Sequence, residues 1–252
     1  MASTNELIGK VAIVTGAGRN IGRAIALALA EGGASIVVNA RSNRAEADAV
    51  AREIEAAGGN ALVNIGDVAD AAAMQAMADA AVKHFGRIDI LVNNAALRRE
   101  KSFTEMSYAE WREILDVTLD GTFHCTKACL PALRKSGAGT IVNIGGLSAH
   151  TGARNRAHVV TAKAGIVGFT RALAHDLAAD GITVNCVVPG LIGTPRPQDK
   201  PEPAHHLTHQ TITGERGRPE DVAAAVRFLC GPGARYINGQ AIHANGGAYL
   251  GS

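Results

Sequence analysis

A glycine-rich turn between an apolar strand and a helix constrains the fold of this chain more than any other feature. Residues 15–22 read Thr-Gly-Ala-Gly-Arg-Asn-Ile-Gly, follow the β-branched run at 11–14 and precede a helical stretch. Gly16 permits a tight turn at the strand end, where a Cβ would clash. Gly18 lets the backbone approach a pyrophosphate, and Gly22 lets the helix pack closely on the strand. Because free amides and the helix dipole attract phosphate, the segment predicts a dinucleotide-binding unit. The alternative is an ordinary strand-to-helix turn.

The bulk properties of the chain argue against several classes of function. Its 252 residues are enough for one large α/β domain over 1–252. A net charge of +2 without a basic run argues against nucleic acid as a partner. No apolar stretch reaches the length of a membrane span, and the N-terminus lacks the features of a secretory signal. The four cysteines form no close metal-binding pattern. We therefore expect no membrane, no metal and a reducing, cytoplasmic setting.

Strand-like and helix-like segments alternate along the chain. The predicted strands cover residues 11–14, 35–38, 61–65, 88–92, 140–144, 183–188 and 240–244. The predicted helices cover residues 21–31, 44–57, 71–85, 108–133, 159–179 and 220–229. Because the strands are nearly continuous apolar runs between amphipathic helices, the pattern predicts an α/β fold with a parallel sheet covered on both faces.

One long connection breaks this alternation. Residues 189–218 carry five prolines and three histidines, His205, His206 and His209. The connection leaves the sixth strand at the carboxyl edge, where α/β sheets bind ligands, so residues 191–215 are a candidate substrate lid. The histidines could bind a metal, but a solvated surface helix is the preferred interpretation because no carboxylate or cysteine completes a ligand set.

Several motifs along the chain resemble those of one family, the short-chain dehydrogenases/reductases, in its 3-oxoacyl-carrier-protein-reductase-like branch. The motifs are the glycine turn at 15–22, Gly66-Asp67-Val68, Asn93-Asn94-Ala95-Ala96, Pro189-Gly190 with Thr194, the segment 217–222, and Asn245-Gly246-Gly247. The resemblance covers nearly the whole chain. It implies a single-domain Rossmann fold, a doubly wound parallel sheet of about seven strands, NAD(P)(H) as cofactor and a homotetramer or homodimer.

The resemblance also implies which residues hold the cofactor. Asp67 and Val68 are expected to border the adenine, and Asn93 and Asn94 to hold the sheet edge and approach the cofactor. The segment from Pro189 is expected to surround the nicotinamide. The full implied set is Gly16, Gly18, Arg19, Asn20, Ile21, Gly22, Arg41, Asp67, Val68, Asn93, Asn94, Ala95, Lys163, Pro189, Gly190, Ile192 and Thr194.

Charge near the second strand indicates which cofactor is preferred. An acidic residue there would hydrogen-bond the ribose hydroxyls and repel a 2′-phosphate. This chain has Asn39-Ala40-Arg41 instead, and Arg19 in the glycine turn is a second cation. Two guanidinium groups favour a phosphate, so we expect NADP(H) to be preferred over NAD(H). The alternative is that Arg41 and Arg44 are solvated surface charges.

The active site departs from the family pattern. The family uses Asn, Ser and a Tyr-x-x-x-Lys pair, in which the Tyr exchanges the proton and the Lys lowers its pKa. In this sequence Lys163 is kept, but the Tyr position holds Val159, the Ser position Gly146 and the Asn position Thr118. Loss of the larger side chains predicts an enlarged, more apolar pocket.

Nearby polar residues are candidates for the missing groups: Lys163, Thr118, Ser148, His150 and His158. Lys163 could be the acid itself if burial lowers its pKa. Ser148 could partly replace the hydroxyl if its loop shifts. His158 could reach the pocket only if its helix begins after it, and otherwise it is a surface or interface histidine. His150 with Arg154 would suit an anionic substrate, or the pair could serve only loop solubility.

Three functions remain open from the sequence. The first is an NADP(H)-dependent oxidoreductase that acts on a small carbonyl, alcohol or activated substrate. The second is a non-redox lyase or isomerase on the same scaffold, using Lys163 or His158. The third is a catalytically inactive protein that still binds the cofactor. The intact glycine turn favours cofactor binding in all three cases.

Overall fold

The computed structural model describes residues 5–194 and 210–251. Seven strands form one parallel sheet with the order β3-β2-β1-β4-β5-β6-β7. The strands are β1 Val11–Val14, β2 Ser35–Ala40, β3 Ala61–Ile65, β4 Ile90–Asn93, β5 Thr140–Ile144, β6 Thr183–Pro189 and β7 Ala241–Ala244. The order reverses between β1 and β4, which is the position where doubly wound sheets bind ligands.

Helices cover both faces of the sheet. The α-helices are α1 Asn20–Glu31, α2 Arg44–Ala56, α3 Ala71–Phe85, α4 Tyr108–Leu115, α5 Gly121–Lys135, α6 Ser148–Thr151, α7 Ala157–Asp176 and α8 Pro219–Cys230. Neighbouring residues of one strand enter opposite cores: Ala12 and Val14 pack on one side of the sheet, and Ile13 packs on the other. The predicted α/β fold with a doubly wound parallel sheet is therefore confirmed.

The prediction of one continuous helix over residues 108–133 is wrong, because the helix is interrupted. A π-helical turn, Asp116–Asp120, separates α4 from α5. Side-chain periodicity alone does not reveal an inserted residue in a helix, because the apolar face continues on both sides of the turn. The interruption matters because Thr118 lies inside it.

The helix that carries Lys163 begins two residues earlier than predicted. Asn155 has a φ of 60°, a left-handed conformation that turns the chain sharply into the helix. Arg156 is the N-cap and α7 begins at Ala157. His158 therefore lies within the first turn of the helix. It was expected to reach the pocket only if the helix began after it, and the helix begins before it.

The predicted lid lies mostly outside the described residues. Of residues 191–215, the structure describes 191–194 and 210–215, and His205, His206 and His209 fall outside them. Ile192 pairs with Gly217 in a short parallel bridge, which joins the two described ends of the segment. In the described part of the chain, no helix is long and apolar enough to cross a membrane.

Candidate active site

The glycine turn is sterically closed to larger side chains. A Cβ on Gly22 would overlap the carbonyl oxygen of Gly16 and lie 2.6 Å from the side-chain nitrogen of Asn94. Gly16 has a φ of 62°, and its Cβ would lie 3.1 Å from Ala95 Cα. Asn20 has a φ of 51°, which explains why an asparagine can stand where the family commonly has glycine. The turn is a backbone cradle that fits a pyrophosphate.

Asn94 and Thr15 lock this turn to the end of β4. The Asn94 side chain donates to the carbonyl oxygens of Thr15 and Gly16 at 2.9 and 3.1 Å. The Thr15 hydroxyl accepts from the backbone amides of Asn94 and Ala95, both at 3.0 Å. These bonds fix the distance between the first and fourth strands at the sheet edge where ligands bind.

Asn93 belongs to a buried hydrogen-bond chain that crosses the sheet. Its side chain donates to Asn143 Oδ1 at 2.9 Å, and Asn143 donates to the Thr170 hydroxyl of α7 at 2.9 Å. The chain connects β4 and β5 to the helix that carries Lys163, so it stabilises the floor of the site. Asn93 thus ties the end of β4 to β5, and its approach to the cofactor stays a prediction.

The expected adenine end is formed by the residues after β2 and β3. The Asp67 carboxylate accepts from the Ala69 amide at 3.0 Å. Val68 is buried, and its side chain contacts Gly121 so closely that a Cβ there would lie 2.6 Å from Val68 Cγ2. Asn39 is buried and donates to Gly66 O at 3.1 Å.

Three charged residues lie in or beside the cofactor motifs: Arg19 in the glycine turn, Arg41 directly after β2, and Glu46 in α2. Arg19 and Arg41 are exposed, and neither forms an ion pair within the described part of the chain. Glu46, from the first turn of α2, has a carboxylate oxygen 3.6 Å from the position of a Cβ on Gly18. Glu46 has no signal in the sequence, because it lies seven residues beyond Asn39 and reaches the turn only through the direction of α2.

The expected nicotinamide end is formed by the residues after β6. Gly190 packs against the end of β7, where a Cβ would lie 2.6 Å from Asn245 Cα. The Leu147 amide donates to Pro189 O at 3.1 Å, which joins this segment to the loop after β5. Ile192 and Thr194 follow at the same edge and are partly buried.

Lys163 is the buried titratable group at the carboxyl end of β5. The residue is 5% exposed, and its Nζ donates to the carbonyl oxygen of Ile144 at 2.5 Å. Burial, together with the positive charges of Arg98 and Arg156, lowers the pKa of the Lys163 amine from 10.5 to about 7. A Cβ on Gly146 would meet only Lys163 Cγ, at 3.7 Å, so the Ser position is open space beside this lysine.

Val159 lies in an apolar cluster. It is 2% exposed and packs with Ile114, Leu115 and Ala162. The isopropyl group offers no proton, so Val159 cannot exchange one with a substrate. The enlarged pocket stays a prediction, supported by the open space at Gly146.

Thr118 uses its polar groups within the chain. Its hydroxyl accepts from the Leu97 amide at 3.4 Å, and its carbonyl oxygen accepts from the Thr122 hydroxyl at 2.9 Å. The side chain is completely buried inside the π-helical turn. These bonds tie Thr118 to the helix interruption, its hydroxyl keeps one proton to donate, and its catalytic role stays a prediction.

His158 and Ser148 are both buried. The His158 Nδ1 accepts from the Val159 amide at 3.0 Å. Five residues separate His158 from Lys163, which places their side chains about 140° apart around the helix. Burial lowers the pKa of His158, although its contact with the Arg156 backbone opposes this. Ser148 begins the short helix α6 and makes no hydrogen bond to Lys163.

His150 lies in a cluster of three rings. Its ring centroid is 4.7 Å from His243 and 5.3 Å from Tyr249. Burial, and then the charge of Arg171, lowers the pKa of His150, which favours the neutral ring at neutral pH. Its Nε2 is buried and has no hydrogen-bond partner among the described residues. A neutral His150 would leave the positive charge of this loop to Arg154, and the anionic substrate stays a prediction.

Comparison with known proteins decides the family. A sequence model described as "Enoyl-(Acyl carrier protein) reductase" matches residues 16–249. The chain is 40% identical over 245 residues to a 3-oxoacyl-[acyl-carrier-protein] reductase of Synechocystis, covering 97% of this chain and 98% of that protein. It is 38% identical over 242 residues to the 3-oxoacyl-[acyl-carrier-protein] reductase of Staphylococcus aureus, covering 96% and 98%.

The chain belongs to the short-chain dehydrogenase/reductase family of NAD(P)-dependent oxidoreductases. Solved structures agree. A short-chain dehydrogenase from Burkholderia cenocepacia in complex with NADP has a TM-score of 0.89 at 35% identity, covering 96% of this chain and 99% of that one. A dehydrogenase/reductase from Sinorhizobium meliloti has a TM-score of 0.91 at 33% identity, covering 99% and 100%. The family resemblance is confirmed.

Proposed function

We propose that this protein is an NADP(H)-dependent oxidoreductase for a small carbonyl or alcohol substrate, in which Lys163 exchanges the proton in place of the missing phenol. The observation that carries the proposal is the buried Lys163 amine, whose pKa is lowered to about 7 beside the open space at Gly146. An acid or base with a pKa near the working pH is best suited to proton exchange.

The residues of the turn fit a dinucleotide. Gly16 and Gly22 lie where a Cβ would meet backbone, and the amides that open α1 face the same edge of the sheet. A bound nicotinamide would supply or accept the hydride. The residues Gly16, Gly18, Asn20, Ile21 and Gly22 would hold its pyrophosphate, with Asp67 and Val68 at the adenine.

Lys163 would act on the substrate oxygen. One ammonium proton is directed at Ile144 O, which leaves other donors on the same Nζ for a substrate. In the direction of carbonyl reduction, the ammonium form gives a proton to the oxygen that gains negative charge. In the direction of alcohol oxidation, the neutral amine removes that proton. Reduction should therefore slow as the pH rises through about 7, and oxidation should accelerate.

The preference for NADP(H) rests on Arg19 and Arg41. Both arginines are exposed, Arg19 within the glycine turn and Arg41 directly after β2, and guanidinium binds phosphate through charge-assisted hydrogen bonds. The Glu46 carboxylate opposes them at the same edge. The two arginines and the one carboxylate leave a net positive charge, which favours the 2′-phosphate of NADP(H). The relative from Burkholderia cenocepacia, which was solved with NADP, supports this choice.

A cofactor titration followed by a substrate panel tests the proposal. NADPH and NADH are titrated against the purified protein by nicotinamide fluorescence, with R19A/R41A as the variant. We expect NADPH to bind tighter, and the variant to lose that advantage. Turnover of carbonyl substrates is then followed at the nicotinamide absorbance for wild type and K163M. Binding without turnover of any substrate would support an inactive cofactor-binding protein instead, and tighter NADH binding would contradict the cofactor preference.

We further propose a cytoplasmic homotetramer or homodimer. The four cysteines are free, which suits a reducing compartment. Phe123 is 47% exposed and contacts Phe169 of α7 with a centroid distance of 6.4 Å. Phe169 is half-buried, and an exposed aromatic side chain packed beside a second ring is typical of an interface between copies. Light scattering of the purified protein would measure the oligomeric state.

A further inference from the structure

Lys163 is a buried amine without a carboxylate partner among the described residues. The side chain is 5% exposed, and its Nζ donates to the carbonyl oxygen of Ile144. The charged groups that act on it are Arg98, from the loop after β4, and Arg156, the N-cap of α7, and both are positive. Lysines are almost never fully buried unless they are paired, so this environment disfavours the ammonium form.

The hydrogen bonding of Nζ also suits the neutral amine. An ammonium has three N–H donors, and the described residues give a partner to one of them, at Ile144 O. A neutral amine has one donor fewer, so fewer buried donors lack a protein partner. Within the described part of the chain, no residue donates a hydrogen bond to this nitrogen. Its lone pair is therefore available to an electrophile.

Cys186 of β6 is the second nucleophilic side chain beside Lys163. Burial raises the pKa of the Cys186 thiol to about 11, although the charge of Lys163 opposes this shift. Because the thiolate is the reactive form, Cys186 does not compete as a nucleophile at neutral pH. The space next to it is also closed, since a Cβ on Gly145 would lie 2.8 Å from Cys186 Sγ.

The room for a ligand lies at Gly146. A Cβ there would meet only Lys163 Cγ, at 3.7 Å, which is an ordinary contact. Gly146 is half-buried, so solvent reaches this position. Val159, one helical turn before Lys163, shares its face of α7 and is apolar. Open space with an apolar neighbour suits a small neutral carbonyl compound.

We infer that the neutral Lys163 amine forms a reversible Schiff base with small ketones and aldehydes, which is an activity separate from hydride transfer. The inference goes beyond the proposed function. As an acid or base, Lys163 exchanges a proton with the substrate oxygen, whereas as a nucleophile it bonds to the carbonyl carbon. A lysine that is desolvated and placed near other cations is a typical nucleophile for Schiff bases.

The step conserves atoms and electrons. The nitrogen lone pair forms a C–N bond to the carbonyl carbon, the C=O π electrons move to the oxygen, and a proton passes from nitrogen to that oxygen through solvent. The carbinolamine then takes a second proton from water, loses its oxygen as water and becomes an iminium. No oxidant or reductant takes part. Hydrolysis returns the carbonyl compound with an oxygen atom from water.

Borohydride trapping on the full-length protein tests the inference. Acetone is the probe, and sodium borohydride reduces any iminium to a stable isopropyl amine that peptide mass mapping locates. Lys127, an exposed lysine of α5, is the reference within the same molecule. At neutral pH, Lys163 should gain the isopropyl group at least about a hundredfold faster than Lys127. The reason is that only the neutral amine attacks, and an ordinary lysine is almost entirely ammonium at that pH.

Three variants locate the activity. K163R keeps the positive charge, but its guanidinium forms no iminium, so labelling at this position should be lost. K127M is the matched control, because it removes an exposed lysine elsewhere, and Lys163 should be labelled as in wild type. G146V fills the open space and leaves the amine in place. Gly146 lacks a positive φ, so valine is tolerated by the backbone, and labelling of Lys163 should fall by about tenfold.

Oxygen exchange gives a readout of turnover. In water enriched in heavy oxygen, each cycle of Schiff-base formation and hydrolysis replaces the oxygen of acetone, which mass spectrometry of the ketone follows. Wild type and K127M should exchange oxygen at least about tenfold faster than K163R.

Two results would overturn the inference: equal labelling of Lys163 and Lys127 in wild type, or oxygen exchange as fast with K163R as with wild type. The first comparison requires no variant to fold. Failure of the proposed function looks different, because neither assay contains a nicotinamide. The protein would then fail to bind NADPH or to transfer hydride while Lys163 is still labelled.

Discussion

Replacing Gly22 by alanine tests the glycine cradle directly. The added methyl would overlap the Gly16 carbonyl oxygen and lie 2.6 Å from the Asn94 side-chain nitrogen. The turn must therefore move, and the bond from Asn94 to Gly16 O at 3.1 Å must break. Overpacking costs about 1–3 kcal/mol and the lost bond about 1 kcal/mol, while alanine gains about 1 kcal/mol in helix propensity.

The net cost of G22A is then about 1–3 kcal/mol, which corresponds to a decrease in Tm of about 2–12 °C for a chain of this length. The displaced amides should also weaken NADPH binding by about tenfold or more. Differential scanning fluorimetry measures the Tm, and fluorescence titration measures the Kd.

G168A is the matched control for this substitution. Gly168 lies in α7, where nothing comes within 4 Å of an added Cβ. Alanine should therefore stabilise the protein by about 0.5–1 kcal/mol without changing NADPH affinity. The reasoning is refuted if G22A matches wild type in Tm and NADPH affinity, or if G168A is the more destabilising of the two.

Three further predictions concern the cofactor edge and the reaction centre. R19A should weaken NADPH binding by about tenfold and NADH binding much less, whereas E46Q should strengthen NADPH binding; equal changes for both cofactors in titration would contradict this. G146S/V159Y should restore general carbonyl reduction, measured as NADPH oxidation with neutral ketones, and an inactive double variant would show that more than these two groups is missing. The unfolded chain keeps the proton of Lys163 up to a pH of 10.5 and the folded chain only up to about 7. Stability should therefore rise with pH through that window, and K163M should remove the rise in a Tm series.

Strands and cofactor loops follow from local sequence. β1, β3 and β5 match their predicted bounds because each is a short apolar run closed by polar or glycine residues. Asn20 was expected to tolerate an unusual backbone angle, and its positive φ confirms this. These features depend on neighbours in the chain, which a single sequence displays.

The reaction centre was less predictable because it depends on contacts between distant segments. The identity of Lys163 is evident in the sequence, but its lowered pKa arises from burial under β5 and from Arg98 and Arg156, which come from different loops. Asn155, two residues before the start of α7, has a left-handed conformation. Because α7 begins at Ala157, His158 lies in the first turn of the helix. A periodic pattern contains no information on such a turn.

Polar side chains were the hardest to pair from sequence. His150 was expected, with Arg154, to suit an anionic substrate, and the sequence did not indicate that its ring packs on His243 and Tyr249 from the end of the chain. Arg154 instead shares a cavity with Arg156 and the hydroxyl of Ser102. The ring cluster and the cavity both depend on contacts between segments that are far apart in the chain. The sequence near each residue therefore does not indicate them.

The pH dependence of hydride transfer in a single turnover tests the central claim most directly. Once a substrate is found, NADPH oxidation is followed in wild type and in K163M under cofactor saturation. Wild type should lose rate as the pH rises through an apparent pKa near 7, because the Lys163 ammonium gives the proton. K163M should be slower by about a hundredfold or more and should lack that transition. A flat profile in wild type, or a K163M rate equal to that of wild type, would contradict the assignment of the proton to Lys163.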